Sequence, residues 1–179
     1  MPIVSGDILV KLSVKTGSAG NTVVGTAAGS LGKYISTTQL TDNILNNAFD
    51  DISGTENAAS TVDYRCIFIH NSHATLTATV MGVYISAEVA LGANISIGLD
   101  PAGATALGSA SAQAAEIATE LSAPAGVTFS APTSYASSLS IGSLAAAQVA
   151  AVWIRRSYAN SAAKNNDGAT LTTQFDTAE

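Results

Sequence analysis

DYRCIFIHNSHATLTATVMGVYI, residues 63–85, is the stretch on which the reading of the whole chain turns. Tyr64 to His70 is a run of apolar, aromatic and β-branched residues. Asn71-Ser72-His73 has the composition of a turn, and Leu76 to Ile85 then alternates polar and apolar side chains. Two such runs on either side of a turn predict a pair of strands. Gly82 interrupts the alternation of the second run, as a β-bulge does.

The same grammar extends towards the C-terminus. Asn94–Leu99 alternates and is expected to stop at Asp100-Pro101, and Val127–Ser130 follows the turn Ala123-Pro124-Ala125-Gly126. Ser138–Gly142 is a short strand, Val149–Arg156 a long one carrying the single tryptophan, and Thr170–Phe175 alternates again. Asn165-Asn166-Asp167-Gly168 supplies the positive-φ residues that a tight hairpin requires. Residues 110–121, rich in alanine and serine, read as a short helix or a long surface loop. Regular crossover helices are missing between these strands, which disfavours a parallel α/β fold. The expectation is an all-β, antiparallel β-sandwich, Ig-like or jelly-roll-like, with one short helix and an extended N-terminal segment. Its predicted core is Cys66, Phe68, Val80, Val83, Ile85, Ile95, Ile97, Leu139, Ile141, Val152, Ile154, Leu171 and Phe175. Alternation alone leaves open whether Trp153 or its neighbours Val152 and Ile154 point inward.

Upstream of residue 63 the pattern weakens. The helix is expected within residues 38–52, capped by Thr41 or Asp42, with Ile44, Leu45, Ala48 and Phe49 on one face and Asp50, Asp51 and Gly54 ending it. Residues 1–35 hold one strand-like stretch, Asp7–Val14, and a glycine-punctuated loop. They read either as an edge strand of the main domain or as an arm that orders on a neighbour. The domain division is therefore 1–35 for the N-terminal segment and 36–179 for the sandwich.

Composition narrows the functional classes. Charged residues make up only 11% of the 179, against about a quarter in ordinary soluble domains. A surface so poor in charge suits a protein covered by neighbours. The net charge of −6 and the lack of a basic stripe argue against nucleic-acid binding. No apolar run reaches the length of a spanning helix, so no membrane partner is expected. The N-terminus lacks the pattern of a secretory signal.

Each candidate constellation for chemistry has a plainer reading. His70 and His73 flank a turn and have no third ligand, so no metal is expected. Cys66, between Arg65 and Ile67, reads as a buried inert thiol. The acids Asp42, Asp50, Asp51, Glu56 and Asp63 lack the oxygen-ligand spacing of a calcium loop and read as a solvated loop and helix end. The glycines at 17, 20, 25, 29 and 32 do not form a phosphate-binding pattern and read as turn residues. No serine-nucleophile elbow is present. The expectation is a non-enzymatic protein without a cofactor. Trp153, Arg155 and Arg156, residue types common at interface hot spots, are candidate contact residues together with Ile8, Val10 and Leu12 of the N-terminal strand. A strand end leaving the core explains the arginines equally well.

Residues 63–85, ANISIGLDPAG at 93–103 and AVWIRRSYANSAAKNNDGATLTTQF at 151–175 together resemble small virion structural proteins of tailed bacteriophages. The resemblance covers about residues 36–179. It implies a β-sandwich particle component made in the host cytoplasm and resident in the virion. A capsid decoration (cement) protein comes first. Its partners would be the major capsid protein or other virion proteins, and its state a homo-oligomer, with a trimer favoured. A tail, neck or fibre-attachment protein is the alternative within virions. Outside them stands a carbohydrate- or receptor-binding sandwich using Tyr34, Tyr84, Tyr135, Trp153 or Tyr158 as stacking platforms.

Overall fold

Among the described residues eight strands carry the chain: β1 (Ile8–Val14), β2 (Tyr34–Gln39), β3 (Val62–Asn71), β4 (Ala78–Glu88), β5 (Asn94–Ala106), β6 (Leu139–Leu144), β7 (Gln148–Ser157) and β8 (Ala169–Thr177). In this computed structural model, which describes residues 2–44, 46–89, 92–158, 160–162 and 166–177, they form two antiparallel sheets packed as a sandwich. One sheet has five strands in the order β2-β1-β3-β7-β5, the other three in the order β6-β4-β8. Among the described residues the single α-helix, α1, is short and runs Gly54–Ala59.

β3 and β7 sit inside the larger sheet and pair over their whole length, Val62 with Ser157 through His70 with Val149. Both faces of this sheet are covered. On the inner face Ile67, Ile69, Val152, Ile154 and Ile97 meet Ala78, Met81, Val83, Ile85 and Leu144 of the smaller sheet. On the outer face Cys66, Phe68, Ala151 and Trp153 pack with Ile35, Ala114 and Ile117. That outer layer is not a sheet. It is made of the irregular segments 15–33 and 107–133, pinned by hydrogen bonds such as Lys33 N–H to Ala115 O (3.1 Å), Ile117 N–H to Leu31 O (3.1 Å) and Tyr64 N–H to Glu120 O (2.8 Å). Burial on both faces is why β3 and β7 read as continuous apolar runs without strict alternation. It also answers the question left open at Trp153: Val152 and Ile154 enter one core, and Trp153 the other.

Gly32 has a role in joining the outer layer to the sheet. Its φ is +92°, and a Cβ there would collide with the carbonyl oxygen of Ala115. Glycine at 32 therefore combines a left-handed backbone with a close approach that no side chain allows. The turn reading of this glycine was incomplete.

Several expectations need correction. β1 is hydrogen-bonded to β2 on one side and β3 on the other, so it is an interior strand, neither an arm nor an edge. Residues 38–52 do not form the expected helix: Thr38 and Gln39 end β2, and Asn43 and Asn46 take left-handed conformations that break helical continuity. Leu45 of that expected face lies outside the described residues. The real helix begins after Ser53, whose hydroxyl accepts from Glu56 N–H (3.2 Å) while Glu56 accepts from Ser53 N–H (2.7 Å). That S-x-x-E capping box was present in the sequence and overlooked. β5 does not stop at Asp100-Pro101. It continues to Ala106 through an irregularity between Leu99 and Ala104, the kind of site where proline is tolerated. Residues 110–121 are loop. Gly168 does not close a hairpin, because β7 and β8 belong to different sheets; Asn165 of that expected turn lies outside the described residues.

The bulge expected at Gly82 is present, and it lies in β4 between Thr79 and Gly82. Within it Val80 has φ +48° and is 57% exposed, so Val80 is not a core residue. Cys66, Phe68, Val83, Ile85, Ile97, Val152 and Ile154 are buried as expected. Ile95, Leu139, Ile141, Leu171 and Phe175 are partly buried against the inner core.

Candidate interaction surfaces

The basic residues of the tryptophan strand lead to a buried ionic network. β7 brings Arg156 opposite Asp63 of β3. One oxygen of Asp63, Oδ2, accepts from Arg156 Nε (3.2 Å), Arg156 Nη2 (2.7 Å) and the Tyr158 hydroxyl (2.6 Å). Arg65, two residues on, donates to Glu120 and to Tyr64 O (3.1 Å). The segment between β2 and α1 closes over both arginines. Arg156 Nη1 donates to Asp50 O (2.6 Å), and the Phe49 ring lies 4.5 Å from the Arg156 guanidinium carbon and 5.4 Å from that of Arg65. Two cations over one aromatic ring suit the ring's quadrupole. Burial and the Asp63 contact push the Tyr158 hydroxyl up to about 12.

The network redistributes the predicted contact residues. Arg156, Trp153 and Leu12 are buried within the chain, while Arg155, Ile8 and Val10 are partly exposed. Arg155 donates to Ser96 (2.9 Å) and lies over Phe129, so it too is engaged internally. Trp153 donates its indole N–H to Asp100 (2.9 Å) and is wholly buried. The structure does not gather these six residues on one surface. Among the proposed stacking platforms, Tyr34, Trp153 and Tyr158 are buried, and Tyr135 donates to Val80 O (2.5 Å).

The remaining chemical candidates are dispersed. Cys66 is fully buried, and burial followed by the nearby Asp100 carboxylate pushes its thiol well above the usual range. A thiol held protonated is a poor nucleophile. His70 lies on the outer face of β3, where burial and then Lys11 lower its pKa. The Nδ1 of His73 instead accepts from Thr75 and Leu76 N–H in the following turn. Of the acids read as solvated, Asp63 is buried and Glu56 caps α1. Among the described residues no group of three or more metal-ligating side chains converges. An open depression of about 390 Å³ is lined by Pro2, Val4, Asp7, Ser72, His73 and Ala74, with no converging catalytic pair.

What stands open is sheet edge. The β2 edge is covered by residues 21–25, through Asn21 N–H to Ile35 O (2.7 Å) and Thr37 N–H to Val23 O (2.9 Å). The β5 edge is met by Ser130, which exchanges two hydrogen bonds with Ile97 (2.8 and 2.9 Å). β6 is six residues long and bulged near Gly142, whose φ is +82°. β8 is nine residues long and pairs with β4 on one side. Among the described residues, nothing hydrogen-bonds along its other side beyond that pairing. Sequence reasoning identified β8 as a strand but had no means of showing that it would end at an edge.

Comparison with protein-family models, with curated proteins and with solved structures gave no match.

Proposed function

We propose that this chain is a structural component of a bacteriophage virion, in the first place a capsid decoration protein that strengthens a shell by protein–protein contact. The particle assignment rests on the sequence resemblance. The observation that carries the non-chemical, contact-based role is the disposition of charge. Of the seven basic residues, Lys11, Arg65 and Arg156 are buried. Lys15 and Lys33 both reach Glu116, at 3.8 and 3.3 Å. With so many cations turned inward or paired, the outside is left mainly to Ser, Thr, Ala and Gly, with scattered carboxylates such as Asp42, Asp51, Glu88 and Asp176. Such a surface is cheaply desolvated when a neighbour covers it, because few charges must leave water.

Function on this reading is buried area across subunit contacts. The test is quantitative mass spectrometry of purified particles from cells carrying the gene, with the chain present and deleted. Decoration predicts a copy number comparable to that of the major shell protein, and particles that rupture at lower temperature without it. A low, fixed copy number points to tail or neck. Absence from particles removes the virion assignment.

A further inference from the structure

The geometry points to the free edge of β8 as a two-fold docking site for a second copy of this chain, joining the two three-stranded sheets into one continuous six-stranded sheet. Proteins blunt exposed edges with lysine, proline, bulges or covering segments. The other edges here are covered or bulged, whereas among the described residues β8 has none of these devices. Its sequence, Ala169-Thr-Leu-Thr-Thr-Gln-Phe-Asp-Thr177, contains no lysine, proline or glycine. Both irregularities in its pairing with β4 are extra residues on β4, so β8 itself runs unbroken.

The occupant follows from the pattern of β8. Antiparallel pairing of β8 with its own copy in full overlap places Thr173 on the two-fold axis. Leu171 then faces Phe175 of the partner subunit, Thr172 faces Gln174, and Thr170 faces Asp176. Each pair lies on the same face of the sheet, as side-chain alternation requires. Leu171 and Phe175, both only partly buried against the inner core, are brought together as an aromatic–aliphatic cross-strand pair. The only charged residue of the strand, Asp176, meets a neutral threonine, so no like charges are opposed. A strand whose polarity is symmetric about its centre is self-complementary, the requirement for an isologous contact. Main-chain hydrogen bonds along the edge supply the affinity, as in other strand additions.

This inference deepens the contact-based reading by naming a surface, replaces the trimer that the resemblance favours with a two-fold pair, and its failure is separable from failure of the particle role. The full chain is studied by sedimentation velocity, with Thr170→Lys and Thr170→Glu compared. Thr170 is exposed, so both variants should melt like the parent. A lysine at 170 opposes Asp176 twice per dimer and should tighten association about fivefold, while glutamate should weaken it about fivefold, from the usual size of cross-strand charge pairs. Both differences should collapse in high salt. Thr173→Cys, on the axis, should give a covalent dimer with a short bis-maleimide, since the native Cys66 is buried. A monomer up to about 1 mM, the weak limit of specific association, overturns the pairing. So does a dimer indifferent to both charges at 170. If Thr173→Cys does not fold, the Thr170 pair decides alone. A dimer that responds as expected but is absent from particles upholds the pairing and removes the virion role.

Discussion

Asp100 joins two strands of the larger sheet to the outer irregular layer through one carboxylate. Its Oδ2 accepts from the Trp153 indole (2.9 Å) and from Ala115 N–H (2.8 Å), and its Oδ1 from Ala102 N–H (2.9 Å). Asp100→Ala leaves a buried indole N–H and two backbone donors without their acceptor, a loss of about 2–4 kcal/mol. The expected result is a lower urea midpoint with unchanged m-value, followed through the emission of the single tryptophan. Tyr158 gives a second prediction at this scale. Its folded pKa, about 12, is raised above the ordinary 10. The stability it contributes is fully present below pH 10 and is lost as pH rises towards 12, because the unfolded chain releases the proton first. Tyr158→Phe should therefore flatten the decline of stability between pH 10 and 12 relative to the parent. Neither contact was legible in the sequence. Asp63 and Arg156 are 93 positions apart, as are no two residues a local pattern can link. What could be read was that Trp153 and the arginines were unusual; what they touch depends on strand register.

At the scale of elements, the strands with strong β propensity were legible and the segments fixed by tertiary contact were not. β3, β4, β7 and β8 follow from composition and alternation. β1 was read as peripheral because residues 1–35 hold few large apolar side chains, yet Lys11 to Val14 are buried and its backbone is paired on both sides. Deleting residues 1–20 should accordingly unfold the sandwich, seen as loss of the cooperative thermal transition; a folded core would mean that β3 can end the sheet without β1. The missed helix start and the misplaced helix show the opposite error, in which apolar spacing outweighed a capping box. The β4 bulge carries local strain. Val80 is β-branched, exposed and at φ +48°. Relieving that conformation with Val80→Gly should stabilise by about 1 kcal/mol and raise the melting temperature by about 2–4 °C in a domain of this size.

The whole molecule is a sandwich with a second, irregular core behind its larger sheet. A sequence read as strands and turns anticipated the first core and, of the second, Cys66 and Phe68, but not their partners such as Ala114 and Ile117, which sit in a loop with no periodic signature. One consequence concerns synthesis on the ribosome. β7 pairs with both β3 and β5, yet it is the seventh strand to emerge. Until it does, β3 has an unpaired side, Asp63 has no Arg156, and Cys66 and Phe68 have no Trp153. Late arrival of a central strand delays completion of the sheet and makes folding slow. Nascent chains arrested before residue 148 should be degraded readily by protease, and resistance should appear only once β7 has cleared the exit tunnel. Most of the chain therefore waits, with strand edges and core faces open, while its keystone strand is still being made.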